Sequence, residues 1–302
     1  MTLTHISDTA RWVALFRARE SERPDALFRD PYARRLAGPK GEAIAKQMES
    51  RMKGDWPVIV RTAVMDEIIL RLVRSGVDNV LNLAAGLDTR PWRLDLPPTL
   101  RWTDADHPGI LDHKLGLLAG EPTRCGYEAV RLDLTNQNQR RNLLTRPGNE
   151  SGETLVIAEG LLVYLGAKAV AGLARDLHAL PSCRWWLCDL ASPDLLRIAA
   201  EQGEPKGAAQ AGVVLRFAPE EGTAWFGPHG WKETEFRSTV HEGIRLNRTV
   251  PLARLWAQLG PSTGLSRKER IRRAAGIALL ERSDRSGRRT VRRPRINRTI
   301  AP

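Results

Sequence analysis

The chain has 302 residues, with 47 basic against 35 acidic side chains and a formal net charge of +12. At 42% apolar and 27% charged residues, it has the composition of a globular protein rather than a disordered one, and it is long enough for one large domain or two modest ones. No run approaches the roughly 20 apolar residues that cross a bilayer, the charged N-terminus lacks the apolar core of a secretory signal, and Cys125, Cys183 and Cys188 form no CxxC pair, which argues against a disulfide framework or a zinc cluster. A reducing, cytoplasmic setting without membrane insertion fits best.

The charge is concentrated at one end. From Ser266 to Pro302 there are 13 basic and 3 acidic residues, net +10, so the rest of the chain is nearly neutral at +2. Residues 283–302 lack apolar periodicity and read as a basic, disordered, solvated tail. The rival reading is an arm that binds nucleic acid or an acidic membrane, because arginine clusters suit phosphates. The body has no basic stripe with interleaved aromatics and no zinc-finger or RNA-binding fingerprint.

Along the chain, residues 7–20, 26–37 and 41–52 show helical patterns and read as an N-terminal helical cap over residues 1–55. The run VIVRTAVMDEIILRLVRSG is the clearest helix. Val64, Ile68, Ile69, Leu72 and Val73 share one face, Arg71 and Arg74 sit in the last turn, and Gly76 suits a left-handed cap. Short apolar runs then alternate with helical stretches: Asn79–Leu83, Leu100–Thr103, Tyr127–Leu132, Thr154–Ala158 and Cys183–Leu190. Such alternation predicts a parallel sheet buried between helices. Gly230–Arg237 and Gly276–Glu281 read as two further strands around a helix over Val250–Leu259. The predicted fold is α/β, with a Rossmann-like, seven-stranded, mostly parallel sheet over residues 56–282.

The segment VLNLAAGLDTRPWRL runs the first strand into a tight turn and then a helix. Gly86 sits at the reversal, where a missing side chain admits a ligand to the backbone. Neither GxGxxG nor GxxxxGK[ST] is present, so a phosphate-cradling loop is not supported. The turn suits a ligand without phosphates, or is a plain strand–helix connection. Asp106 follows the second strand, 20 residues after Gly86, the spacing at which an acid accepts from ribose hydroxyls in nucleoside-binding folds. Asp104 is its competitor on the same strand. Asp133 and Leu134 follow the third strand and Glu159 follows the fourth. A lone acid at a strand end is ordinarily a cap or a turn residue; repetition at successive strand ends points to a site. The histidines show no metal-ligand spacing and no HExxH, so no metal is expected. Trp225, Phe226, His229 and Trp231 cluster in sequence, either as core or as the lining of an acceptor pocket.

Taken together, these residues resemble the class I S-adenosylmethionine-dependent methyltransferases of the leucine carboxyl methyltransferase and polyketide O-methyltransferase type. The matching pieces are SDTARWVALFRARE, RPDALFRDPYARRLAG, RTAVMDE, NLAAGLDTRPWRL, DADHP with Lys114 downstream, RLDL, AEGLLVYL and the late Gly230-Trp231 strand. They cover roughly residues 5–282 and leave out the basic tail. The resemblance implies S-adenosylmethionine as cofactor. Arg61 would pair with its carboxylate, which a guanidinium fork matches. Gly86 would leave room for the methionine portion, Asp106 would hold the ribose, Asp133 and Leu134 the adenine, and Glu159 the amino or sulfonium side. Many relatives have Gly where this chain has Ala84, which crowds the turn slightly.

The implied activity is O-methyl transfer to a hydroxyl or carboxylate of a small metabolite. A carboxylate acceptor is already ionised and needs only desolvation and orientation, whereas a hydroxyl needs a general base. His229 and His241 are the candidates for that base, and Tyr164 is a further candidate pocket residue. The alternatives are a nucleic-acid methyltransferase that uses the basic tail, a protein carboxyl methyltransferase, and a cofactor-binding protein that has lost catalysis. Nothing in the sequence marks an oligomeric state.

Overall fold

The computed structural model describes residues 8–48, 54–146, 152–201, 214–249 and 275–283. Seven strands form one sheet: β1 (Asn79–Leu83), β2 (Arg101–Asp106), β3 (Gly126–Arg131), β4 (Thr154–Ala158), β5 (Cys183–Ala191), β6 (Trp231–Ser238) and β7 (Ala275–Arg282), in the order β3-β2-β1-β4-β5-β7-β6. Neighbours among β1–β5 pair in parallel, and β7 runs antiparallel to both β5 and β6. This is the mostly parallel α/β sheet that the alternating pattern predicts. Strand order reverses direction between β1 and β4, and in an open α/β sheet ligands bind outside the carboxyl ends at such a switch point.

β1 and β4 are buried along their whole length, as strands covered on both faces must be. Their alternate residues feed two cores. Val80, Leu155 and Ile157 meet Val64, Ile68 and Leu72 of α3 (Trp56–Arg74). Leu81, Leu83 and Val156 lie on the other side with Val170, Leu173 and Leu177 of α7 (Ala167–His178). Each such aliphatic side chain contributes roughly 1.5–3 kcal/mol by leaving water. The helical face read for α3 is thus a core face; Pro57 stands in its first turn, and the Ser75 N–H closes on Arg71 and Leu72.

The remaining helices are α1 (Asp8–Ser21), α2 (Ala33–Met48), α4 (Arg90–Arg93), α5 (Pro108–Leu117), α6 (Gln137–Leu144), α8 (Pro193–Glu201) and α9 (Thr239–Arg245). α1 and α2 pack on each other. A third core joins Leu15, Phe16 and Leu36 from them to Leu87, Trp92 and Ile110 around the carboxyl side of β1.

Three expectations need correction. Residues 26–37 do not form a helix of their own, since the helix begins only at Ala33. The preceding stretch is held by side chains instead: the buried Glu20 carboxylate accepts from the Leu27 N–H, and Ser21 Oγ accepts from the Asp30 N–H. The patterns at 26–37 and 41–52 instead share one kinked element, α2, broken at Gly38 (φ 58°, ψ −175°) before Pro39; the end of the second pattern lies outside the described residues. β2 extends beyond Thr103 to Asp106, because Asp104 is buried with partners and does not end the strand. The helix expected over Val250–Leu259 and the tail from 284 onward lie outside the described residues.

Candidate active site

β1 ends at Leu83, and the chain turns through Ala84 and Gly86, both with a φ of 53°. Glycine takes this left-handed conformation freely, whereas a residue with a Cβ is strained by about 1–2 kcal/mol. The crowding expected at Ala84 is therefore conformational. At Gly86 a Cβ would stand 3.2 Å from the Ala10 Cβ of α1. On that side the glycine makes room for the N-terminal cap.

Asp106, the last residue of β2, reaches across to this turn. Its Oδ2 accepts the Gly86 N–H at 2.6 Å and its Oδ1 accepts the His107 N–H at 2.6 Å. Burial dominates its titration and pushes the carboxyl above its ordinary value despite both N–H groups. Each carboxylate oxygen has a further lone pair for a hydroxyl. Asp104 is different. It is fully buried and accepts from Trp102 Nε1 (2.9 Å), Asn82 Nδ2 (3.1 Å), Lys114 Nζ (2.6 Å) and Tyr127 Oη (2.8 Å). An unpaired carboxylate there would be prohibitively costly, and this saturated one is structural.

Asp133 is exposed. Its Oδ1 accepts from the Thr135 hydroxyl (2.7 Å) and N–H (2.8 Å), and these bonds lower its pKa. Its own N–H donates to Gln139 Oε1 at 2.8 Å. The carboxylate is occupied as a turn residue, whereas Leu134 lines a cavity of about 520 Å³ together with Leu161, Leu165 and Lys168. Asp106 and Asp133 thus come to neighbouring strand ends, since Asp106 pairs with Arg131 across β2 and β3, but only Leu134 of the Asp133–Leu134 pair lines that cavity.

At the ends of β4 and β5 the structure joins Arg61 to two acids. Arg61 Nε donates to Glu159 Oε1 (3.0 Å), and Nη1 donates to Asp189 Oδ2 (2.9 Å). Asp189 Oδ1 also accepts the Gly160 N–H at 2.6 Å. Gly160 has a φ of 62°, and a Cβ there would lie 3.4 Å from Arg61 Nη1. The second Glu159 oxygen accepts from Arg90 Nη1 at 2.7 Å. Burial works to raise the Glu159 carboxyl, but Arg90 and then Arg61 outweigh it and hold the group ionised below its usual range. Burial likewise disfavours the Arg61 charge, and Asp189 and Glu159 restore it, so the guanidinium stays protonated. Tyr164 lies in the 3₁₀ turn Leu162–Tyr164 just beyond. Burial raises its pKa, with Arg61 and Asp189 acting on it in opposite senses. It is a neutral phenol, and its hydroxyl carries no hydrogen bond among the described residues.

Other candidates are not brought here. His229 and the aromatic cluster stand at the opposite end of the sheet: Trp231 pairs with Arg282, beside the amino end of β5, where Trp185 pairs with Glu281. Phe226 and Trp231 are buried against Trp186, at 5.3 and 5.4 Å between ring centroids. The cluster is core, and His229 stacks on Trp225 at 4.7 Å. His241 is exposed on α9. No metal-binding group of His, Cys, Asp or Glu occurs among the described residues.

Sequence reasoning missed the acids and arginines behind the site. Arg90 also binds Asp88 (2.7 Å) and Asp66 (2.6 Å), and Arg93 holds Asp66 through both terminal nitrogens (2.7 and 2.9 Å). Burial raises Asp88, but Arg90, Arg93 and Arg17 overcome it and hold the carboxyl well below its ordinary range. Asp189 was findable: it repeats the strand-end acids one strand further along, two residues before its strand closes.

Residues 10–178 match the profile of the leucine carboxyl methyltransferase family. A protein of Parafrankia sp., named as a candidate S-adenosyl-L-methionine-dependent methyltransferase, is 32% identical over 269 residues, covering 82% of this chain and 83% of its own. One from Streptomyces avermitilis with the same description is 32% identical over 240 residues, covering 74% and 82%. Among solved structures, a DUF574 family protein from Streptomyces avermitilis superposes with a TM-score of 0.56 at 16% identity, covering 91% of this chain and 97% of that one. A candidate methyltransferase from Thermobifida fusca gives 0.52 at 17% identity, covering 82% and 89%. These two structures share the fold. The chain belongs to the leucine carboxyl methyltransferase family of S-adenosylmethionine-dependent methyltransferases.

Proposed function

We propose that the enzyme methylates an oxygen of a small metabolite, and that the oxygen is a carboxylate. The residues present fit the cofactor: a half-buried carboxylate with free lone pairs for vicinal hydroxyls (Asp106), an apolar flank for a purine (Leu134, Leu161, Leu165), and a guanidinium with Nη2 unbonded among the described residues for a carboxylate (Arg61). S-adenosylmethionine supplies an already activated methyl group. What remains for the protein is to hold donor and acceptor in line, and such positioning is worth up to about 7–11 kcal/mol.

The observation that favours a carboxylate is the state of the side chains at the carboxyl ends of β4 and β5. Glu159 and Asp189 are tied to arginines, Tyr164 is a neutral donor, and His229 lies across the sheet. With Arg61 Nη2 given to the cofactor carboxylate, the Tyr164 hydroxyl is the side-chain group of this cluster that carries no hydrogen bond among the described residues, and as a neutral phenol it can donate. Donors serve an acceptor that arrives ionised, whereas a hydroxyl substrate requires a proton acceptor. The three free, buried cysteines suit the reducing cytoplasm.

The test is transfer of labelled methyl from S-adenosylmethionine into a metabolite extract, followed by mild alkali. Methyl esters release labelled methanol and ethers keep their label, so alkali-stable product excludes the carboxylate. Label that sediments with protein, or is freed by nuclease, redirects the assignment to a macromolecular acceptor.

A further inference from the structure

The ion pairs behind the site form one continuous ladder. From α1 it runs Arg17–Asp30–Arg93–Asp66–Arg90, then branches to Asp88 and Glu159, and continues Glu159–Arg61–Asp189. It contains four arginines and five carboxylates, so it carries one surplus negative charge. Asp189 closes the ladder at its site end and binds only one of those arginines. The Asp189, Glu159 and Arg61 side chains stay partly reachable, at 22%, 16% and 18% exposure. The Lys114–Asp104 pair behind the turn is neutral by itself and does not cancel the surplus.

We propose that Asp189 is a positioning residue that fixes Arg61 and the Gly160 turn and leaves this end of the site net negative, so that it prefers the cationic sulfonium cofactor to the neutral thioether left after transfer. This rests on the assignment of Arg61 and Glu159 to the amino-acid and sulfonium side of the cofactor. The two ligands differ by a methyl group and one positive charge. A fixed surplus carboxylate stabilises the charged one and is indifferent to the neutral one. Product release is favoured with no conformational change. Geometry supports Asp189 over the other acids of the ladder. Its two oxygens hold different elements at the site, α3 through Arg61 and the turn after β4 through Gly160, whereas Asp66 is spent on α4 and Asp88 on α4 and on Asn82 of β1, behind the site.

The experiment is calorimetric titration of S-adenosylmethionine and S-adenosylhomocysteine into the full chain and into Asp189→Asn, Asp189→Glu and Asp106→Ala. Asparagine keeps the acceptor for the Gly160 N–H, removes the charge and puts its amide nitrogen where Arg61 Nη1 needs an acceptor, so a small loss common to both ligands accompanies the charge effect. Asp189→Asn should lose about tenfold in affinity for S-adenosylmethionine and less than about threefold for S-adenosylhomocysteine. Asp189→Glu should restore the ratio between the two ligands, and Asp106→Ala should weaken both alike. Equal loss of both ligands in Asp189→Asn, or no loss, overturns the proposal. If the wild-type chain binds neither ligand, or Asp106→Ala binds both as the wild type does, the site assignment itself falls and takes the proposal with it.

Discussion

A carboxylate used to bind a ligand must be ionised when the ligand arrives, and Asp106 is the strand-end acid whose environment works against that. Burial raises its pKa above the ordinary 3.8, although two backbone N–H groups stabilise the anion. Asp133, exposed and bonded to Thr135, is shifted the other way. Protonation on the acid side therefore removes the Asp106 acceptor first. Cofactor affinity should fall as the pH drops towards the raised Asp106 value, before an unperturbed carboxylate would titrate. In Asp106→Asn the affinity should be weaker at neutral pH and lose this acid limb, with a loss of about 1–3 kcal/mol. Calorimetric titration across that range checks it, and an acid limb that persists in Asp106→Asn assigns the titration elsewhere. For the fold itself the raised pKa has the opposite sense. The folded chain holds this proton more tightly than the unfolded chain, so the contribution of Asp106 to stability is fully present below its unfolded value and lost as pH rises through its folded value.

The turn after β1 is the element on which the site depends, and two residues in it take the same left-handed conformation at different cost. Ala84→Gly relieves the strain of the methyl group but loosens the unfolded chain, and the net should be a gain of up to about 1 kcal/mol in urea unfolding. Gly86→Ala adds the strain and also drives a Cβ to 3.2 Å from Ala10; it should cost about 1–3 kcal/mol and weaken cofactor binding by displacing α1. An Ala84→Gly protein less stable than wild type would refute the strain assigned to it. The two elements differ in how far the sequence discloses them. β1 and β4 were legible to the residue, because each is a short, largely apolar run of five residues that begins just after an acid, Asp78 or Glu153. The end of β2 was not. The apolar run stops at Thr103, and the partners that let Asp104 lie inside the sheet come from Asn82, Lys114 and Tyr127, on three other elements. The start of α2 was hidden for a similar reason, since a buried Glu20 carboxylate holds the chain out of the helix. At the site, acids at strand tips were visible as a series. Arg90, which pairs with Glu159 of that series, and Arg93 beside it looked like ordinary polar residues of a short helix until the fold placed Asp66 between them.

At the scale of the whole molecule, the ladder of arginines and carboxylates ties α1, α3, α4 and the tips of β4 and β5 into one electrostatic unit, which couples the N-terminal helices to the sheet. The excess positive charge lies elsewhere. Residues 284–302 contain seven arginines and one acid, about half of the net +12. The last described anchor before them is Ser283, whose N–H donates to the Gly230 carbonyl at 2.8 Å, with His178 Nε2 3.2 Å from its own carbonyl. A chain ending at Ser283 keeps β7 and both of these contacts, so it should fold with an unchanged unfolding midpoint. The two acceptor classes then separate. A nucleic-acid substrate draws its affinity from neutralised phosphates, and log affinity falls with log salt at roughly 0.9 per phosphate contact on duplex DNA. Removing seven arginines would cut both turnover and that slope. A small carboxylate held beside Tyr164 is indifferent to the tail. The carboxylate reading therefore requires the truncated enzyme to transfer methyl groups at the full-length rate, with the same shallow response to salt. A truncated enzyme that turns over slowly at low salt, and no longer responds to added salt as the full chain does, would move the acceptor to nucleic acid.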